Sequence, residues 1–200
     1  MLQRNLKPIV NKGVDMKKTI FFLSIILSVL FFACQNKTQQ PASTIKKTTM
    51  NKDTSKVAQD SSFLDEASRG GMMMVQLGKI AEKKAHYKMI KDFANMMIDD
   101  HSKINDELKS LALKHHLKLP DSLSKATEDK INDLKKLSGR RFEKQYVDMM
   151  AEDHQNDVAK FKDESQNAAS SEVRQWAAKT LPTLQKHLDK IKEIKKKYRF

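Results

Sequence analysis

Apolar residues recur every three or four positions over most of the chain after Ser61, which is the spacing of one face of an α-helix. One long pattern of this kind begins at Phe63, and three further long patterns cover residues 90–111, 142–161 and 173–194. A shorter pattern lies between the second and third long ones. Because short polar links separate the patterns, we predict an antiparallel four-helix bundle with a short extra helix between the second and third long helices.

The composition supports an all-α fold and indicates no enzyme class. Only 5 Gly and 4 Pro occur in 200 residues, too few for the frequent turns that a β-sandwich or barrel needs. A single cysteine excludes a disulfide framework and a multi-cysteine zinc site. The sequence also lacks phosphate-binding loops and the common hydrolase motifs, so we expect no enzyme.

The N-terminal region predicts a lipoprotein-type signal peptide at residues 16–33. Two lysines after Met16 precede an apolar run from Ile20 to Ala33, which is shorter than the roughly 20 residues of a membrane-spanning helix but long enough for a signal core. The run ends at Cys34, and this junction resembles the lipobox of bacterial lipoproteins, in which the cysteine becomes the lipidated N-terminus. An ordinary secretory signal that happens to contain a cysteine is the alternative. Residues 1–15 are predicted to be an over-extended start.

Residues 34–60 are rich in Gln, Thr, Ser and Lys and show no apolar period, so we predict a lipidated cysteine followed by a disordered tether. The bundle would then occupy residues 61–198. Without its first 33 residues the chain carries 33 basic and 24 acidic side chains, a net charge of +9. We expect no nucleic-acid partner, because an exported protein rarely meets nucleic acid, and attraction to anionic lipid explains the charge better.

The predicted location is the periplasmic side of the cell envelope, with the protein held to a membrane by its N-terminal lipid. Gln35 rather than Asp follows the cysteine, which by analogy with enterobacteria favours the outer membrane. The sequence indicates no particular protein partner.

Two matching motifs place histidines on the second and third long helices. Residues 96–101 read MMIDDH and residues 149–154 read MMAEDH, so His101 and His154 occupy equivalent positions 53 residues apart. Apolar residues flank both histidines at one-turn spacing, and the same holds for His187 on the last helix. We therefore expect all three side chains to point into the bundle, with Asp100 and Asp153 as their hydrogen-bond partners and not as metal ligands.

Two interpretations of these histidines remain open. They are either core histidines that are hydrogen-bonded to carboxylates or backbone, or the ligands of a metal ion. Three imidazoles near methionine thioethers suit a soft or borderline ion such as copper or zinc. In either case we expect at least two of the imidazoles to approach within about 8 Å, because the motifs place His101 and His154 on the inner faces of two helices of one bundle.

Several motifs in order resemble the bacterial domain of unknown function family 4142, which comprises exported proteins with a ferritin-like bundle. The resemblance covers about residues 62–194 and implies this fold and export, but no activity. The matching positions include Phe63, Ala67, Gly71, Met72, Leu77, Gly78, Ala81, Met97, Asp100, His101, Ser102, Lys103, Leu119, Pro120, Leu137, Ser138, Gly139, Phe142, Tyr146, Val147, Asp153, His154, Ala178, Lys179, Thr180, Leu181, Pro182, Leu184 and His187.

Two departures from iron-binding patterns argue against a di-iron oxidase. The family often has an acidic residue where Gln76 stands, which would remove one carboxylate ligand from the first helix. Ferritin-type centres also use Glu-x-x-His pairs, but the residues three before the histidines are Ile98, Ala151 and Leu184. We therefore expect a non-enzymatic, lipid-anchored envelope protein without a cofactor, and the alternative is a bundle protein that binds a copper or zinc ion through its histidines.

The anchoring hypothesis is tested by the Cys34→Ser variant. We expect this variant to leave the membrane fraction, because it lacks the thiol to which lipid would be attached. Fractionation with and without detergent measures this, with a Ser24→Ala variant inside the signal core as the control. Retention of Cys34→Ser in the membrane fraction would show that the cysteine is not the anchor.

Overall fold

A computed structural model describes residues 46–200, with side chains from Val57 onward. These residues form five helices and no strand. The predicted all-α class is confirmed, as is the short helix between the second and third long ones. The helices are α1 (Lys46–Lys84), α2 (Lys88–Lys114), α3 (Lys125–Lys136), α4 (Gly139–Asn167) and α5 (Ser171–Tyr198).

Local sequence sets several of these boundaries. Ser124 caps α3 by accepting a hydrogen bond from the Thr127 amide, and Ser170 caps α5 by accepting from the amides of Glu172 and Val173. A serine at this position stabilises a helix because the first amides lack partners within the helix. Gly139, which begins α4, has a φ of +55°, a conformation that glycine adopts without steric cost.

The predicted tether of residues 34–60 is wrong over its C-terminal part. Helix α1 begins at Lys46, and its residue Asp60 is buried with 6% of its surface exposed. The segment lacks an apolar stripe, but α1 continues through it and Asp60 is fixed by contacts far along the chain. Residues 1–45, which include the predicted start, the signal peptide and Cys34, lie outside the described residues.

The long helices pack as two pairs. Helix α1 lies along α2, and α4 lies along α5, while α2 also contacts α5 and α1 contacts α4. The buried side chains form two clusters. One contains Phe93, Tyr146 and Ile191, and the other contains Phe63 and Trp176 with their neighbours. Each cluster takes side chains from both pairs, so the core joins the pairs and is not confined to either.

Two buried carboxylates connect the pairs reciprocally. Asp60 on α1 accepts hydrogen bonds from the amides of Ala169 and Ser170, in the link between α4 and α5, at 2.8 and 2.7 Å. Glu143 on α4 accepts from the amides of His86 and Tyr87, in the link between α1 and α2, at 2.7 and 3.0 Å. The two carboxylates are 83 residues apart, and so are the amides that they bind. The two helix pairs are therefore built alike, and a carboxylate from each pair holds the link between the two helices of the other pair.

Within residues 46–200, no helix is both long enough and apolar enough to cross a membrane.

Helix α1 lies close to the backbone of α2 at Gly78. A Cβ atom there would lie 2.9 Å from the Ala94 carbonyl oxygen and 2.9 Å from a side-chain carbon of Ile98, whereas a Cβ at Gly70 would meet nothing within 4 Å. We expect Gly78→Ala to lower the free energy of unfolding by about 1–3 kcal/mol through overpacking.

The matched control Gly70→Ala should raise stability by about 0.5–1 kcal/mol, since alanine favours a helix where space is free. Urea denaturation measures both variants. Equal effects at the two glycines would contradict the close approach of α1 and α2.

Candidate metal centre

Three histidines from three helices meet in the bundle core. His101 on α2, His154 on α4 and His187 on α5 are all buried, with at most 3% of each residue exposed. One ligand nitrogen from each ring lies within 4.8 Å of the others, and the ring centroids are 5.3 to 5.6 Å apart. Among the residues that the structure describes, these three histidines form the group of potential metal ligands whose ligand atoms lie close enough to share one ion. The expected approach of the imidazoles is confirmed.

Buried apolar side chains surround the histidines. Met97 and Met150 lie one turn before His101 and His154 on the same helices, and both are fully buried. Phe93 directs its ring edge-to-face toward two of the imidazoles, with centroid distances of 6.2 Å to His154 and 6.5 Å to His187. The inward direction of the three histidines, which the apolar residues at one-turn spacing predicted, is therefore confirmed.

Hydrogen bonds fix the tautomer of His154. Its Nδ1–H donates to the carbonyl oxygen of Met150 at 2.8 Å, which leaves a lone pair on its Nε2. The Nε2 of His101 lies 3.4 Å from this atom, so His101 Nε2–H is the donor of that contact. The Nε2 atoms of these two histidines thus face one another across the core.

His187 is held by an acidic partner on the neighbouring helix. Its Nε2–H donates to Oδ2 of Asp100 at 3.0 Å. Its Nδ1 is buried and has no hydrogen-bond partner among the described residues. A buried nitrogen with a free lone pair is destabilising unless a ligand uses it, and an outer carboxylate on the other ring nitrogen is the usual support of a metal-bound histidine.

Burial keeps the imidazoles uncharged. Loss of hydration, together with a smaller effect of the neighbouring His187, lowers the pKa of His154 to about 4. Burial also lowers the pKa of His101 well below its usual value, helped by the two other histidines. Burial lowers the pKa of His187 as well, although its bond to Asp100 opposes the shift. Neutral imidazoles are the form that binds a metal ion.

The predicted pairing of Asp153 with the histidines is not found. Asp153 lines a cleft between α3 and α4 with Lys130, Glu152 and Met73. Burial raises its pKa to about 6, and burial together with the charge of Asp153 raises the pKa of Asp157 to about 7. Each aspartate lies about 100° around its helix from the adjacent histidine. Only Asp100 has a histidine of the next helix within reach.

The structure changes how one sequence difference is understood. Gln76 is exposed, so its side chain faces away from the histidines. An acidic residue at this position would therefore point to solvent, and its replacement removes no ligand from the core.

Sequence reasoning missed the two carboxylates that fix the helix links, Asp60 and Glu143. Asp60 was assigned to the tether, and Glu143 stands in an ordinary amphipathic pattern. Their partners are backbone amides far along the chain, so no residue-type signal in the sequence identifies them. The unpartnered Nδ1 of His187 was likewise visible only once Asp100 was placed.

Comparison with known proteins identifies the family. Residues 45–194 match the family described as "Domain of unknown function (DUF4142)". The chain belongs to this family. The match begins inside the segment that was predicted as a tether, in agreement with the start of α1. No curated protein matches the DUF4142 chain significantly.

A solved structure is similar in fold. The crystal structure of a DUF305 fragment from Deinococcus radiodurans matches with a TM-score of 0.60 over 68% of this chain and 94% of the fragment. The two sequences are 14% identical, so the similarity concerns the fold alone. The DUF4142 chain therefore shares a helical architecture with a protein of a differently named family.

The buried histidines should make stability fall with acidity. Below pH 6.5 the unfolded chain protonates His154, whereas the folded chain does so only near pH 4. We therefore expect a His154→Gln variant to show a dependence of unfolding free energy on pH that is weaker by up to about 1.4 kcal/mol per pH unit in this window.

Urea denaturation at several pH values between about 4.5 and 7 measures how steeply the free energy of unfolding depends on pH. The raised pKa values of Asp153 and Asp157 make stability rise with acidity, which is the opposite effect. The wild type and His154→Gln both retain these aspartates, so the difference between the two slopes removes their contribution. The exposed His86→Gln is the control. An unchanged slope in His154→Gln would contradict the uncharged, buried state of His154.

Proposed function

We propose that this DUF4142 protein binds one transition-metal ion through His101, His154 and His187. The observation that carries the proposal is the convergence of three buried, uncharged imidazoles, with one nitrogen of each within 4.8 Å of the others. Placing three such nitrogens together among apolar side chains costs free energy, because polar atoms lose hydration there and gain few partners. A shared ion would satisfy all of them.

The distances suit an ion with nitrogen ligands. Two nitrogens bound to one ion at about 2.0–2.1 Å in tetrahedral geometry are about 3.3–3.4 Å apart. The Nε2 atoms of His101 and His154 already have a separation of 3.4 Å. His187 would contribute Nδ1, because Asp100 occupies its Nε2. Three imidazoles without a thiolate favour zinc or copper among the common ions.

Binding requires one proton to move. His101 donates through Nε2 to His154 in the structure, so the proton on that atom must leave or shift to Nδ1 before the nitrogen can bind an ion. His154 and His187 need no such change, since their free lone pairs are fixed by Met150 and Asp100. Two of the three ligands are thus preorganised, and the ion would replace a weak hydrogen bond between rings.

The cellular setting is part of the proposal. The sequence supports export and lipid attachment at Cys34, which would hold the protein on the periplasmic side of the outer membrane. An antiparallel, ferritin-like arrangement of the long helices agrees with Gly71 lying against Asn105 while Gly78 lies against Ala94. We infer a non-enzymatic role in binding or buffering the ion, because all three imidazoles are buried, where a substrate in solution does not reach them.

A structural role for the histidines is the second candidate, and the contact between His101 and His154 favours it. In that case the three rings and Asp100 form a buried polar network that fixes how the pairs fit together. Removing one member would leave its partner unsatisfied and cost about 1–3 kcal/mol of stability.

The metal content of protein purified without chelators tests the proposal. We expect about one ion per chain by elemental analysis, the stoichiometry of a single closed site. The His101→Ala/His154→Ala variant should lose it. His86→Ala/His116→Ala removes the same number of histidines from exposed positions and should keep the ion.

Isothermal titration with Zn²⁺ and, separately, with Cu⁺ extends this test to ions lost during purification. Absence of binding by the wild-type chain under both conditions would leave the structural role. Loss of the ion from the His86/His116 control would show that the metal is held at the surface.

A further inference from the structure

A small cavity between α2 and α5 lies at the edge of the histidine site. Its volume is about 140 Å³, and it is lined by Asp100, Lys103, Ile104, Glu107, Lys179, Thr180 and Thr183. Thr180 is buried, while the side chain of Asp100 is 24% exposed. The cavity is therefore a recess with both polar and apolar lining that extends inward from the surface.

Asp100 belongs both to this cavity and to the histidine site. Its Oδ2 accepts the hydrogen bond from the buried Nε2 of His187. Its Oδ1 lies on the side of Lys103, 4.0 Å from the ammonium nitrogen. Asp100 is thus the carboxylate that a cation would meet on its way from the cavity to the core, and no other acidic side chain among residues 57–200 is hydrogen-bonded to one of the three histidines.

An ion pair spans the cavity. Nζ of Lys179 on α5 lies 2.7 Å from Oε1 of Glu107 on α2. Both side chains line the recess, and both are exposed, Lys179 to 68% and Glu107 to 42% of the side-chain surface. A lysine held in this position narrows the opening and repels an incoming cation, and its departure would free a second carboxylate beside Asp100.

We propose that the metal ion reaches the histidines through this recess, with Asp100 as its first ligand inside the protein and the Lys179–Glu107 pair as the gate. From Asp100 the ion would pass the ring of His187, whose Nε2 is bonded to that carboxylate, to reach the facing Nε2 atoms of His101 and His154. Asp100 afterwards remains as the hydrogen-bond partner of His187. This inference rests on the proposed metal binding and adds the path and its control.

A gate has a kinetic signature that a ligand lacks. Changing the opening alters the rates of association and dissociation by similar factors, because the barrier is shared by both directions. The equilibrium constant then changes much less than either rate. Removal of a ligand instead weakens binding at equilibrium, so the two kinds of residue are separable by measuring both rates.

Two variants act on the gate in opposite directions. Lys179→Met keeps the length of the side chain but removes its charge and its bond to Glu107, so both rates should rise, by about threefold or more as one charge near the path is removed. Thr183→Phe fills the recess and should slow both rates at least about tenfold, the effect of a barrier raised by about 1.4 kcal/mol.

The control is Lys190→Met on the same helix. Lys190 also pairs with a glutamate, Glu193, at 2.8 Å, but it does not line the recess. The variant changes the net charge by the same amount as Lys179→Met. Its rates should equal those of the wild type.

The probe is Zn²⁺, and stopped-flow competition with a fluorescent chelator measures both rates on the full chain, with the fold of each variant verified by circular dichroism. Rates that change as stated, with affinity changed less than about threefold, support the gate. Wild-type rates in a folded Lys179→Met would overturn it even if Thr183→Phe fails to fold.

The outcomes also separate this inference from the function on which it rests. If Zn²⁺ binds to the wild type and is lost in the histidine variant, but neither gate variant changes the rates, the ion uses another path. If no ion binds to the folded wild type, the proposed function and the gate both fail.

Discussion

The exclusion of water from the centre of the bundle is the constraint on which the histidine site depends. In water the three imidazoles would be hydrated, partly charged and mutually repelling at such short range. In the core, burial lowers the pKa of each one, so the rings stay neutral and the Nε2 atoms of His101 and His154 can lie 3.4 Å apart. The cost of burying them is offset where a partner exists, at Met150 and Asp100, and remains at the unpartnered Nδ1 of His187.

The site joins the two helix pairs, since one histidine comes from the first pair and two from the second. The reciprocal bonds of Asp60 and Glu143 join the same pairs at the helix links. Any ligand held by all three histidines would therefore bind only the assembled bundle. By linkage, such binding would stabilise the folded state in proportion to the logarithm of ligand concentration.

The two spacings in the chain explain why the site is asymmetric. The structural repeat of the pairs is 83 residues, as the two carboxylates show, whereas the MMxxDH motifs are 53 residues apart on α2 and α4. At the structural spacing, the position equivalent to His154 is Gly71 on α1, which has no side chain to offer. Helix α1 therefore adds no fourth imidazole, and Asp100 and Asp153 face different neighbours despite their identical place in the motif.

The sequence by itself determined the helical class, the number of long helices, the short α3 and the inward direction of the three histidines. These follow from local spacing, because the period of the apolar residues decides which side of each helix is buried. It also identified the family and placed Asp100 as a hydrogen-bond partner.

The tertiary structure alone decided the rest. It placed the start of α1 within the predicted tether, separated Asp153 from the histidines and turned Gln76 to solvent. It also revealed that Asp60 and Glu143 bind backbone amides. Each of these depends on which helices are neighbours and in what register they pack, a relation between residues up to 110 positions apart that no local pattern encodes.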